Sequence, residues 1–282
     1  MTDARNPWDI PEWRALGREA ALVRQLIGSG ATALGHANYA DLTGVYYTAF
    51  FGLSIGLERL CKLILVADHA INHQGELPTQ KFVKSYGHKL TILCDKVEEI
   101  ANNHQLEIRY SRPKNEITSS ILNCLDAFAD AGRGRYANFA ELGDPNLSQD
   151  EPIANWWNDV AEAILTKHYY GKRAQQGVES RAALAHALLA PYSSVLFVNE
   201  TNDVMTTPLD ASIRTGQAEL VQRYGRYYAL TIARWLADVF CELTRKAWHK
   251  QNIHAFFGVW EHLWDYAVSD DFLKTRKVWP LK

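Results

Sequence analysis

The sequence predicts an all-α protein, a multi-helix bundle interrupted by one long irregular loop or small β element near residues 193–210. Three observations lead there. Apolar residues recur at intervals of three and four over most of the chain, the spacing that builds one face of an α-helix. Proline and glycine fall between those runs, where helices start and stop. Only one short stretch, Val195-Leu196-Phe197-Val198, is β-prone, and a turn-rich segment follows it.

Pro11 stands in the first turn of a helix carrying Trp13, Leu16, Ala20, Val23 and Ile27, and Gly28-Ser29-Gly30 reads as its stop. Tyr46 to about Ala70 is the strongest helix, with Phe50, Leu53, Leu57, Leu60, Ile64 and Ala67 on its apolar face. The loop Gly75-Glu76-Leu77-Pro78-Thr79 breaks the chain. A helix from about Gly87 to Asn102 follows, built on Leu90, Leu93, Val97 and Ile100. After Arg112-Pro113-Lys114, Asn115 or Ser111 caps a helix that runs to about Ala131. Gly143 to Ser148 is polar and bears glycine and proline, which marks a boundary between a helical region of residues 1–144 and an aromatic-rich region of residues 145–282. Beyond it Asp150 and Pro152 open a helix through Tyr170, and another spans Gln175–Leu189. Past the loop, helices are expected from Ser212 to about Lys250 and from Phe256 to Val268.

At 282 residues, 47% hydrophobic and 22% charged, the chain can bury a substantial core. A net charge of −2 gives no global reason to attract nucleic acid, although local basic patches are compatible with it. The longest apolar segment is broken by Glu58, Arg59 and Lys62, which argues against a membrane span, and the expected location is cytoplasmic. Cys61, Cys94, Cys124 and Cys241 are scattered without a CxxC pair and read as buried reduced thiols. His69 and His73 have zinc-like spacing beside Asp68, but a polar helix end accounts for them and no metal is expected. No GxxxxGK[ST], GxGxxG or GxSxG occurs, so no cofactor is expected either. Tryptophans gather late in the chain, among them Trp235, Trp248, Trp260 and Trp264, as in a core or an interface.

Glu58 and Lys62 lie one helical turn apart in an otherwise apolar helix, an order favourable for an ion pair. His88, near the next helix start, is placed to reach Glu58. The three read as an orienting network between helices. The segments GLERLCKLIL, GHKLTIL and RYANF, with the proline-bearing loop, together resemble the HEPN superfamily (higher eukaryotes and prokaryotes nucleotide-binding) over roughly residues 45–142. The matched positions are Glu58, Lys62, Gly87, His88 and Leu90.

What the resemblance implies is a HEPN-like bundle over residues 1–144 and RNA as the target. It also implies metal-independent endoribonuclease chemistry by an Arg-x4–6-His motif, with two chains pooling their motifs as a homodimer. Histidine can move a proton at a ribose hydroxyl, and arginine can hold the phosphate charge. The strict match here is Arg181 to His186, where Ala182 replaces the family's polar residue and the pair falls outside the matching segment. On a helix the two stand about 140° apart. Two other sets compete as phosphate- or RNA-binding groups: Arg245 with His249 at i,i+4, and Arg133, Arg135 and Asn138.

Two functions of different class result. One is an RNA-binding protein or endoribonuclease of bacterial stress response or phage defence, acting as a homodimer with a protein activator as a further candidate partner. The other is a non-catalytic helical scaffold, an oligomerisation subunit whose aromatic half forms the interface.

Overall fold

The computed structural model describes residues 6–40, 44–130 and 151–281. Among the described residues the protein is all-α apart from one two-stranded sheet. Its helices are α1 (Pro11–Leu34), α2 (Gly44–Asn72), α3 (Gln80–Ser85), α4 (Leu90–Asn103), α5 (Glu116–Ala129), α6 (Pro152–Asn155), α7 (Glu162–His168), α8 (Arg173–Leu189), α9 (Pro208–Gln251) and α10 (Asp270–Thr275). A π-helical turn, Trp156–Ala161, joins α6 to α7. Strands β1 (Phe197–Val198) and β2 (Val204–Met205) pair antiparallel within the segment expected to hold a long loop or small β element.

The chain folds into two compact units, each assembled from separate stretches of sequence. The first comprises residues 1–31, 51–114 and 230–282, and the second 32–50 and 115–229. The boundary expected between Gly143 and Ser148 lies outside the described residues, as do Arg133, Arg135 and Asn138.

In the first unit, Val23 and Ile27 of α1, Leu57, Leu60 and Ile64 of α2, Leu93 and Val97 of α4, and Trp235, Leu236 and Phe240 of α9 are all buried. α1 does not stop at Gly28-Ser29-Gly30 but continues to Leu34. Those glycines are contact surfaces. A Cβ on Gly28 would run into the Pro280 ring, and one on Gly52 of α2 would sit 2.8 Å from the Gly30 Cα and the Leu26 carbonyl oxygen. α1 and α2 therefore cross almost backbone to backbone. Gly52→Ala is expected to cost about 1–3 kcal/mol through overpacking, read as a lowered urea midpoint with unchanged helical circular dichroism.

The helix expected over Phe256–Val268 is instead three 3₁₀ turns, His254–Phe256, Val259–His262 and Trp264–Tyr266. Gly258, with φ +67°, ends the first and starts the second in a left-handed conformation that no α-helix tolerates. α3 has no periodic run long enough to announce it. It is a six-residue helix opened by Thr79, whose hydroxyl accepts from the Phe82 N–H.

The second unit packs around aromatic rings. Phe50 lies 5.5 Å, centre to centre, from both Phe128 and the fully buried Trp156. Asn115 and Thr118 form a reciprocal capping box that starts α5. Glu151 caps α6 by accepting from the Ala154 N–H at 2.7 Å, and Asp150, the cap expected from the sequence, lies outside the described residues. All four cysteines are free and buried, and burial pushes the Cys124 and Cys241 thiols up to about 12. Nucleophilic thiol chemistry at neutral pH is thereby disfavoured at both. No helix among the described residues is long and apolar enough to cross a membrane.

Candidate functional site

Glu58 and Lys62 of α2 form an ion pair at 2.7 Å, with side chains 17% and 14% exposed. The chain reverses at Gly87 (φ +77°) just before α4, and this brings His88 Nδ1 to 2.9 Å from the same Glu58 oxygen. The contact expected from the sequence between His88 and Glu58 is present. A carboxylate already holding a lysine can only accept, so the His88 proton sits on Nδ1. The ring itself is largely exposed, at 73%.

A second histidine–carboxylate pair shows the contrast. His104 Nε2 lies 2.7 Å from Asp68 of α2, while Lys246 Nζ of α9 donates to His104 Nδ1 at 3.2 Å and to the His104 carbonyl at 3.1 Å. Both ring nitrogens of His104 are occupied, so it pins α2 to α9 and has no lone pair left for proton transfer. His69 and His73 stack ring on ring at 3.9 Å, and among the described residues no group of His, Cys, Asp or Glu is placed to hold a metal.

The structure does not gather Arg181 and His186 into one site. Both lie on α8, five residues apart and so about 140° around the helix axis. Arg181 lines a polar groove of about 370 Å³ between α8 and α9, with Ser212, Thr215 and Glu219 across from it. His186 does not contribute to that wall, and its Nδ1 is buried without a hydrogen-bond partner. Arg245 and His249 do share a face of α9, but each is engaged with aromatic rings. Arg245 pairs with Glu242 at 2.7 Å and its guanidinium lies 4.4 Å from the centre of the Trp264 ring, while His249 packs 5.7 Å from Trp260.

Trp260 also lines the site that sequence reasoning missed. A cleft of about 560 Å³ opens in the first unit between the start of α1 and the 3₁₀ turns after α9. Its walls include Trp8, Trp13, Phe257 and Trp260, with Arg14, Arg18, Glu261 and His262 among them. Trp8 stands on a 3₁₀ turn opened by Asn6 and meets Trp13 edge to face at 5.1 Å. The Trp13 indole N–H donates to the Phe257 carbonyl at 2.6 Å, which ties the two walls together. Beneath them Arg24 pairs with Asp265, and the Tyr266 hydroxyl donates to the Arg24 carbonyl at 2.7 Å. Trp8 remains 67% exposed, a large ring held in solvent at the rim. Burial, with Arg24 nearby, lowers the His262 pKa below its ordinary value. The ring is therefore neutral at pH 7, and the charges in the cleft are two guanidinium groups against one carboxylate.

The aromatic and basic character extends past the cleft through Trp260. Trp264 carries two guanidinium groups against its ring, Arg245 at 4.4 Å and Arg109 at 4.6 Å. This array can stack flat π-systems and neutralise phosphates at once. Comparison with known proteins finds no matching family model, no matching curated protein and no matching solved structure.

Proposed function

We propose that this chain is an RNA-binding protein that holds single-stranded RNA in the aromatic–arginine cleft of its first unit, without cleaving it. The observation that carries the reading is the cleft itself, with four aromatic rings and two arginines on its walls. Its volume of about 560 Å³ is that of a site for a small ligand or a nucleotide unit. Indole faces accept any base, and each stacked base contributes about 1–3 kcal/mol. Arg14 and Arg18 are exposed at positions where a phosphate backbone could pass. The resemblance of residues 45–142 to the HEPN superfamily points to the same class of ligand. Binding is favoured over cleavage because Arg181 and His186 diverge on α8 and the largely exposed His88 lines none of the cleft.

The test is fluorescence anisotropy of a labelled single-stranded oligoribonucleotide in EDTA between about 50 and 200 mM salt, the range over which phosphate contacts show their salt dependence. Trp8→Ala removes a ring that is already exposed and is expected to weaken binding roughly 5- to 150-fold, the equivalent of one lost stack. Arg18→Ala is expected to reduce the slope of log affinity against log salt by about 0.7. No binding by the unaltered protein at the low end of that salt range sinks the proposal. Cleavage of the oligonucleotide that disappears in both Arg181→Ala and His186→Ala would replace it with the nuclease reading.

A further inference from the structure

His88 combines two properties that other histidines of the first unit hold separately. His104 has a carboxylate partner, but both of its ring nitrogens are occupied and its ring is largely buried. His73 is exposed, with Nδ1 held by the His69 carbonyl at 2.8 Å, but no carboxylate among the described residues pairs with it. His88 is held at Nδ1 by the Glu58 carboxylate at 2.9 Å and still keeps most of its ring in solvent. With the proton on Nδ1, the Nε2 lone pair lies on the other side of the ring, and no hydrogen bond takes it up. Lys62 fixes Glu58 in turn at 2.7 Å, so the group that orients the imidazole is itself oriented.

The setting is positively charged. Lys84 and Lys89 flank His88 in the sequence, both exposed and neither in an ion pair, and residues 77–94 contain no Asp or Glu. The positive end of α4 begins two residues after His88, and Lys89 at its N-cap makes no side-chain cap bond. An oriented nitrogen nucleophile in solvent, amid cations, suits an anionic electrophile. We propose that His88 Nε2 is a phosphoryl-acceptor site, served by donors that carry phosphorus on nitrogen. The Nε2 lone pair forms the new N–P bond as the donor's P–N bond breaks, and the electron pair of that bond leaves on the donor nitrogen. With phosphoramidate, whose nitrogen is already protonated, the leaving group is ammonia and no base is required. The ring becomes a phosphorylated imidazolium that retains its Nδ1 proton, and the Glu58 carboxylate faces the positive charge so created. Lysines 84 and 89 and the α4 N-terminus add positive potential for the phosphoryl oxygens.

Neither His88 nor Glu58 lines the cleft assigned to RNA, so the inference stands apart from that reading. Its test is incubation of the full chain with phosphoramidate at about pH 8, where an ordinary histidine is neutral. Peptide mapping under alkaline conditions follows the rate at each histidine, and NMR identifies the phosphorylated nitrogen. His73 is the internal reference, because it has the same Nδ1 proton and exposure without the carboxylate. His88 is expected to react at Nε2 at least about tenfold faster than His73, the effect of one hydrogen bond to a charged group. Glu58→Gln keeps an acceptor for Nδ1 and removes the charge, and should bring the ratio of the two rates close to one. Lys84→Ala combined with Lys89→Ala should slow His88 and leave His73 unchanged. Equal rates at His88 and His73 in the unaltered protein, or a phosphoryl group on Nδ1 of His88, overturns the proposal. So does a His88 rate that Glu58→Gln leaves unchanged in a protein with unaltered circular dichroism.

Discussion

Replacing Glu200 with alanine is expected to destabilise the second unit by about 3–5 kcal/mol, the cost of leaving a buried charge without its partner. Glu200 sits in the tight connection between β1 and β2, yet its side chain is wholly removed from solvent. One carboxylate oxygen accepts from Arg214 Nε at 2.7 Å, and the other from the Tyr46 hydroxyl at 3.3 Å. The Tyr46 oxygen in turn accepts the Trp157 indole N–H at 2.9 Å, and the Arg214 guanidinium lies 3.5 Å from the centre of the Trp157 ring. Burial and the neighbouring Glu200 charge push the Tyr46 pKa up, so the phenol stays protonated and keeps donating. Loss of the carboxylate would strand a guanidinium that is only 13% exposed and a phenol with no acceptor. Urea denaturation followed by tryptophan fluorescence measures the loss. Glu200→Met combined with Arg214→Met should recover a share of it, since an apolar pair of similar volume replaces a buried ion pair at little cost, while the Tyr46 hydroxyl still lacks its acceptor. A single-variant loss below about 1 kcal/mol would mean that water reaches Arg214 and that the network contributes only surface-like energy.

Glu200 also shows where the sequence stops being informative. The run Asn199-Glu200-Thr201-Asn202-Asp203 is as polar as any solvated loop, and only Arg214 folding back across the hairpin makes its second residue an interior anchor. Local chemistry was legible wherever one element sufficed. The three-and-four spacing of buried residues in α1, α2, α4 and α5 is visible in the letters, as is the Asn115 cap. So is the Glu58–Lys62 pair, because both residues lie on one helix. The His88–Glu58 contact was legible only as a candidate, because 30 residues separate the two and the fold alone brings them together. The cleft was not legible, because its walls come from residues 8–21 and 257–262, stretches brought together only by the fold. The clustering of late tryptophans was its one trace, and Trp8 and Trp13 do not belong to that cluster. Gly28 and Gly30 misled for the opposite reason. Locally they break helices, whereas here they let α1 lie against Pro280 and Gly52, and packing outweighs a propensity cost of about 1 kcal/mol each.

Asp238 should produce the largest effect in the first unit. It lies in the C-terminal half of α9 with a side chain 1% exposed, and one of its oxygens accepts two backbone donors, the Arg109 N–H at 2.5 Å and the Tyr110 N–H at 2.9 Å. The Arg109 Nε approaches its other oxygen at 3.6 Å. The carboxylate thus closes the loop between α4 and α5 onto α9 and fixes where the Arg109 side chain leaves the backbone. That side chain reaches the Trp264 ring, and the neighbouring Tyr110 ring carries Arg234 at 4.1 Å. Asp238→Ala would orphan both N–H groups at about 1–3 kcal/mol apiece, for a total loss of about 3–5 kcal/mol. Asp238→Asn keeps one oxygen acceptor and should lose less. Arg109→Ala removes only a half-exposed guanidinium and should change stability by less than about 1 kcal/mol. The three variants also separate scaffold from surface. If Arg109 and Trp264 carry RNA, Arg109→Ala weakens binding at unchanged stability, whereas Asp238→Asn weakens both through a loosened loop. Equal RNA affinity in Arg109→Ala and the unaltered protein would confine the binding surface to the cleft around Trp8 and leave Asp238 with a purely structural role.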